Sequence, residues 1–363
     1  MDQVGGVARI ETDKVNWLAK HGYDVTVCDI EDWPMHPYYP LDERVKFLVG
    51  HITTTPGGLW QRAKNVCRAV QKVLSIIEEE KPDVIINAHC PVVTWILPFV
   101  ARHIPKIAEM HQSRQGLEVF NKWAMSKMMS RLHLFLTRFI YGRYAKFVTL
   151  TTADMQSWKL KNSVCIPNFS NIKPTIRQPI EHRQIIMLAR LMPQKRIDLM
   201  IRVWQKLASQ FPNWKVRVFG EGEMRSELQK QIDEANLSES FQLMGATKNV
   251  QAEIQNSDIL CLTSEYEGFG IVLIEAMNMG VPVVAMEYVG VHDIIENGID
   301  GVVVPFGNVD EYVQKLSELI LSEQRRKQIA IRAYQSVAKF DSEAIMQKWT
   351  RLFGEIRQLN FRK

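Results

Sequence analysis

Ser264-Glu-Tyr-Glu-Gly-Phe-Gly-Ile-Val-Leu-Ile-Glu-Ala-Met-Asn-Met-Gly-Val-Pro-Val-Val284 is the stretch from which the chain is best read. The pattern predicts a strand ending near Ser264, a loop over Glu267-Gly-Phe-Gly270 and a helix opening near Ile271. Glu267 therefore lies in the loop and Glu275 about one turn into the helix. Gly268 and Gly270 let backbone N–H groups approach a ligand closely, and a helix N-terminus favours an anion. A carboxylate on the helix can accept two hydrogen bonds from a vicinal diol such as a ribose. One in the loop can do the same for sugar hydroxyls.

Outward from this stretch, short β-branched runs alternate with helical patterns. Strands are expected at Asp24–Cys28, Asp83–Asn87 and Lys146–Leu150 in the front half. In the back half they are expected at Ile185–Ala189, Lys215–Phe219, Asp258–Leu262, Pro282–Met286 and Gly301–Val304. The runs are apolar rather than alternating, as in parallel strands covered on both faces. Strand–helix–strand repetition implies α/β, doubly wound sheets. One such sheet does not use 363 residues, so two domains are expected. The boundary falls between Asn168 and Arg183, where Pro167, Pro174 and Pro179 punctuate an aperiodic stretch. The expected division is 1–170 and 171–341. The terminal helix 342–363 carries Trp349, Leu352, Phe353 and Ile356 on one face and returns to the first domain. Ligands of open α/β sheets bind beyond the carboxyl ends of the strands. Two sheets facing one another would thus enclose a central cleft.

Two carboxylates beside an anionic ligand need cations, and Ala189-Arg-Leu-Met-Pro-Gln-Lys195 supplies them. Arg190 follows a strand and Lys195 opens the next helix, so both stand at the carboxyl edge of their sheet. At an effective dielectric near 20, each charge contact at about 4 Å is worth about 4 kcal/mol before desolvation. That is enough to neutralise a diphosphate without a metal ion. There is no convincing Asp-x-Asp metal site, so no metal and no cofactor are expected.

Taken together, these motifs resemble the retaining glycosyltransferases of family 4, which have the GT-B fold of two Rossmann-like domains. The likeness covers nearly the whole chain. Gly5-Gly-Val-Ala-Arg9 resembles the family's N-terminal Gly-Gly loop, and Ile166-Pro-Asn168 its entry to the linker. Gly220-Glu-Gly222 and Gly245 resemble the glycine turns after the next two donor-domain strands, and Asn297–Pro305 a late strand. The resemblance implies that Glu275 binds the donor ribose and Glu267 the hydroxyls of the transferred sugar. It places backbone amides of Gly268, Phe269, Gly270 and Ile271 on sugar and diphosphate, and Arg190 and Lys195 on the leaving diphosphate. Gly5 and Gly6 would close on the phosphates from the other domain. Gly220 and Gly245 would line the donor site, and His111, in Glu109-Met-His-Gln112, would stand near the sugar. The implied donor is a nucleotide diphosphate sugar, UDP-linked by family frequency, and the acceptor a saccharide or lipid-linked saccharide hydroxyl in polysaccharide synthesis. A sugar-nucleotide epimerase or a binding-only protein would share the frame. The chain departs from the family at Ala189 and Arg196, where glycine is frequent, and at Gly290-Val-His-Asp293.

Composition narrows the class further. Hydrophobic residues make up 46% and charged residues 23%, which excludes disordered and fibrous classes. The five cysteines include no Cys-x-x-Cys pair, so neither a disulfide framework nor a zinc site is expected. No apolar run reaches the roughly 18 residues of a membrane span, and no signal-peptide pattern opens the chain. A cytoplasmic location is therefore expected. The net charge of +5 (45 Lys/Arg minus 40 Asp/Glu) resides in residues 1–170, which hold 21 basic against 16 acidic groups; residues 171–363 hold 24 of each. No nucleic-acid partner is implied. Residues 121–146 contribute six Lys/Arg, no acid, and a helical set including Trp123, Met128, Leu132, Phe135 and Phe139. Such a stretch packs its apolar face on the first domain, or lies on an anionic membrane surface at the inner face of the cytoplasmic membrane. Finally, only Met1-Asp-Gln-Val4 precede Gly5. A strand needs about 5–6 residues, so the sequence is expected to be short at its N-terminus; were 363 the true length, the first domain would lack a core strand and be poorly stable.

Overall fold

The computed structural model describes residues 6–31, 37, 39–52, 59–88, 91–172 and 181–360. The chain divides into two compact units, Met1–Phe169 with Ser342–Lys363, and Ser170–Asp341.

In the first unit, β1 (Thr26–Glu31) and β2 (Lys46–Ile52) pair in parallel as one sheet. Four further strands form a second parallel sheet in the order β3 (Ile85–Ala88), β4 (Lys106–Glu109), β5 (Lys146–Thr149), β6 (Ser163–Cys165). Among the described residues no ladder joins β1 to β3. The expected lack of a leading strand concerns residues 1–5, which lie outside the described set. Helix Ser342–Asn360 packs on this unit, where Trp349, Leu352 and Ile356 join Ile107, Val148, Ile166 and Phe169. Trp17 Nε1 also donates to Glu343 Oε2 at 3.0 Å.

The second unit is one six-stranded parallel sheet. In chain order its strands are β7 (Gln184–Leu188), β8 (Lys215–Phe219), β9 (Phe241–Gly245), β10 (Ile259–Leu262), β11 (Val283–Met286) and β12 (Val302–Val304). They lie side by side as β12-β11-β10-β7-β8-β9. Every residue of β10 and β11 is buried. Alternate residues such as Ile185, Met187, Ile259, Cys261, Val284 and Met286 join the core on one face. Ile186, Leu260, Val283 and Ala285 are buried on the other. This two-sided burial is why the strands read as continuous apolar runs.

The eight expected strands form within two or three residues of their expected bounds. β2, β4, β6 and β9 are additional. β4 and β6, Lys-Ile-Ala-Glu and Ser-Val-Cys, are too short or too polar to stand out as apolar runs. By contrast β2, Lys-Phe-Leu-Val-Gly-His-Ile, carried a legible apolar run that sequence reasoning passed over. The chain runs from β7 through β8 to β9 on one side, then returns to β10 on the other side of β7. The carboxyl ends of β7 and β10 are thus the topological switch point, where open α/β sheets bind ligands.

Candidate active site

Two loops meet at that switch point. Leaving β7, the chain turns through Ala189–Met192 into a short 3₁₀ turn, Pro193–Lys195. Leaving β10, it runs through Thr263 and Ser264 to Gly270, the cap of helix Ile271–Asn278. Two hydrogen bonds fasten one loop to the other: Glu265 N donates to Gln194 O at 2.9 Å, and the Thr263 side-chain Oγ1 donates to Lys195 O at 3.0 Å. Lys195 Nζ lies 2.6 Å from Glu267 Oε1, with both side chains largely buried. The structure therefore brings together two of the residues singled out in the sequence, 72 positions apart. Arg190 sits on the β7 side of the same rim and is exposed.

Glu275 is 1% exposed on a helix whose neighbours Leu273, Ile274, Ala276 and Met277 are all buried. A carboxylate withdrawn this far from water is costly to bury unless it is paired. Phe269 is buried too, edge-on to Phe340 with ring centroids 5.4 Å apart. Its side chain belongs to packing, and only its backbone is left to meet a ligand. Gly270 has φ +89°, and a Cβ there would come within 2.4 Å of the Tyr288 hydroxyl. That hydroxyl donates to Phe269 O at 2.8 Å and so pins the glycine loop from beneath. Burial pushes the Tyr288 phenol well above its ordinary range, and Glu267 and Asp293 add to the effect. It is therefore a neutral donor.

The glycine turn after β8 supports the β7 loop. Ala189 N donates to Phe219 O at 3.0 Å and Leu191 N to Glu221 O at 2.9 Å. A Cβ on Gly220 would stand 1.9 Å from Ala189 O, so only glycine permits this approach. Gly220 N donates in turn to Gly245 O at 2.8 Å. Gly220 and Gly245 thus shape the loop that carries Arg190. Arg196, at a position where the resembled family often has glycine, has φ +47°. That is a left-handed conformation glycine adopts freely. Its guanidinium is held by two 3.0 Å bonds to Asp198.

In the first unit, Gly6 opens helix Gly6–Lys20, while Gly5 lies outside the described residues. His111 is buried within a cluster of charged groups. Its Nε2 is 2.8 Å from Glu11 Oε1 and 3.5 Å from Glu109 Oε1. Lys14 Nζ bonds Glu11 at 2.8 Å and also bonds Glu109, and it lies 4.7 Å from the Trp349 ring centroid. Burial alone would raise the Glu11 carboxyl, but Lys14 and His111 bring it down to about 2. Glu109 shifts the other way, upward, through burial and the neighbouring Glu11 charge. Burial opposes protonation of His111, yet the two carboxylates outweigh it and raise its pKa. Glu11, Glu109 and His111 present ligand atoms within 4.8 Å of one another, as a metal site would. Here the Lys14 ammonium, bonded to both carboxylates, supplies the positive charge.

Sequence reasoning passed over Glu11, Lys14, Glu109 and Tyr288. A signal for the first two was present: they interrupt the apolar set Ile10, Val15 and Leu18 on a helix whose buried residues include all five. Glu109 ends a strand, and Tyr288 follows one by two residues.

Comparison with known proteins bears on the whole chain. The family described as "Glycosyltransferase Family 4" matches residues 4–168, and "Glycosyl transferases group 1" matches residues 168–336. An uncharacterized glycosyltransferase of Haemophilus influenzae is 26% identical over 352 residues, 95% of each chain. The amylovoran biosynthesis glycosyltransferase AmsD of Erwinia amylovora is 27% identical over 362 residues, again 95% of each. Among solved structures, Anabaena HepE in complex with UDP and glucose superposes with a TM-score of 0.77. It has 20% identity and covers 98% of this chain and 97% of its own.

Proposed function

Because this chain belongs to the family 4 glycosyltransferases and has the GT-B fold, we propose that it moves a sugar, with retention, from a UDP-sugar to a saccharide hydroxyl. The observation that carries the reading is the Lys195–Glu267 ion pair at the β7/β10 switch point, with Arg190 on the same rim. A diphosphate arriving there takes up Lys195 and Arg190, while Glu267, freed in part from Lys195, accepts hydroxyls of the sugar. Glu275 holds the ribose. The bond from the anomeric carbon to the departing phosphate breaks, and the bond to the acceptor oxygen forms on the same face. The acceptor proton passes to the leaving phosphate. No protein nucleophile is used, and stabilisation of charge on the diphosphate by preset groups dominates. Two side-chain cations take the part of a metal ion, so turnover persists in excess EDTA. His111 stands near the transferred sugar, and Gly5 and Gly6 approach the phosphates.

The acceptor in this reading is a lipid-linked or cell-surface saccharide in polysaccharide synthesis, reached from the inner face of the cytoplasmic membrane. The full-length likeness to an amylovoran biosynthesis enzyme supports it. So do the basic residues within 121–146, which suit an anionic membrane surface.

The test is nucleotide release from a donor panel, with and without acceptor. Lys195→Ala and Arg190→Ala are expected to lower turnover by about 100- to 1000-fold. The exposed Arg190 variant should unfold near the parent, and Lys195→Ala paired with Glu267→Gln separates the loss of charge from the stranding of a buried carboxylate. Parent-like activity in either single variant overturns the reading. Acceptor-free conversion of the donor to an isomer would make the chain an epimerase instead.

A further inference from the structure

Helix Lys127–Tyr141 packs on its unit through Ile140 and Tyr141 but turns a second apolar face to solvent: Met128 is 78% exposed, Phe135 65%, Met129 and Leu132 54% each, Phe139 45% and Leu136 38%. Ser130, Thr137 and Ile140 are buried, Tyr141 packs on Phe147 and Trp158, and His133 stacks on Trp95. Among the described residues the buried Thr137 hydroxyl has no hydrogen-bond partner. A helix that merely covers a domain keeps polar residues on its outer face. The sequence allowed the apolar face to pack on the first domain, and the structure turns that face outward. At 100° per residue, Met128, Leu132, Phe135 and Phe139 form one stripe. Lys127, Arg131 and Arg138 share an edge beside it, all exposed. No acidic residue occurs from 119 to 146. Ser126 caps the helix start through Met129 N, so the element is preformed.

We propose that this face docks in the plane of an anionic phospholipid bilayer, with its apolar stripe at the acyl boundary and Lys127, Arg131 and Arg138 on headgroup phosphates. Two observations select lipid. An apolar stripe flanked by basic residues is the pattern of interfacial helices, and a segment without an acidic residue from 119 to 146 complements anionic headgroups. An antiparallel two-fold pairing of copies through this stripe would bring their basic edges together, which disfavours that arrangement of a second copy. The inference rests on the proposed transferase acting on a lipid-borne saccharide for its purpose, and on nothing in that reading for its measurement.

The experiment is flotation of the full chain with vesicles of equal parts phosphatidylglycerol and phosphatidylcholine, and with phosphatidylcholine alone. The parent protein is expected to float with the anionic vesicles and far less with the neutral ones. Leu132→Ser with Phe135→Ser should weaken that partitioning by about 100-fold. Lys127→Glu with Arg131→Glu should abolish the preference for anionic lipid. Nucleotide release with a soluble acceptor and no vesicles should be unchanged in both variants. Failure of the transferase reading would therefore leave the flotation result standing, and the reverse. Equal, weak flotation with both vesicle types overturns the proposal, as does parent-like flotation of the Leu132/Phe135 variant. A dimer in sedimentation equilibrium that the same substitutions dissolve also overturns it, and assigns the face to a second copy.

Discussion

In the unit of residues 170–341, charged groups named for chemistry stand at strand ends while the sheet between them is apolar on both faces. In the other unit, helix Gly6–Lys20 carries Glu11 and Lys14 into the buried layer against Glu109 and His111. The strands there form two separate sheets, and the buried apolar residues fall into separate clusters among the described residues. The two units therefore hold their key side chains by different means. Lys195 and Glu267 form one largely buried pair carried by two loops that hydrogen bonds fasten together at the ends of neighbouring strands. His111 is held by a network of ions whose desolvation must be offset by mutual pairing.

That contrast can be broken from either side. The largest effect is expected at Lys14→Met, which strands Glu11 and Glu109 in the interior. Removing one partner of a buried ion pair typically costs about 3–5 kcal/mol. Hydrogen exchange should show the loss at the β4 and β5 amides and spare β7 and β10. Equal loss in both units would show that the cluster is not a local device. The acid side of the same cluster has a definite sign. Glu11 is lowered from 4.5 to about 2, so its stabilising contribution is present above about pH 4.5 and disappears as pH falls through about 2. Thermal unfolding of the parent should weaken over that window, and Glu11→Gln should flatten the dependence. An identical pH profile in the variant would remove the assignment.

On the other side, Gly220→Ala places a Cβ 1.9 Å from Ala189 O, and the loop must move. Overpacking of this kind costs about 1–3 kcal/mol, and because the shift falls on the Arg190 loop, donor affinity should drop as well. A stable variant with parent-like KM for donor would show that the loop is more pliant than its bonds imply. The smallest effect is expected at Tyr288→Phe. It removes the bond to Phe269 O and leaves a buried carbonyl unsatisfied, at about 1–2 kcal/mol. The glycine loop should loosen, raising KM before kcat; an unchanged KM would assign the hydroxyl to stability alone.

Much of this was legible without coordinates. The apolar runs located the central strands because parallel strands buried on both faces admit few polar residues, and Glu267-Gly-Phe-Gly270 was recognisable from its composition as the loop between a strand and the helix opening at Ile271. Strands as brief as Ser163–Cys165 were not legible, since three residues carry no period. Arg196 illustrates an intermediate case. Its departure from the resembled family's glycine was visible in the sequence, but its left-handed backbone and its Asp198 partner were not.

By itself, then, the amino-acid sequence determined the α/β class, five of the six strands described in the second unit and the residues carrying charge at the switch point. These follow from local patterns: runs of apolar residues, glycine spacing and strand-end position. Only the tertiary structure decided that Lys195 meets Glu267, that Lys14 joins Glu11 to Glu109, and that Tyr288 underpins the glycine loop. It also decided that an apolar face of Lys127–Tyr141 points outward. Each of these is a pairing or an orientation set by how distant segments pack, and helical periodicity shows that a helix has an apolar face without saying which way that face turns.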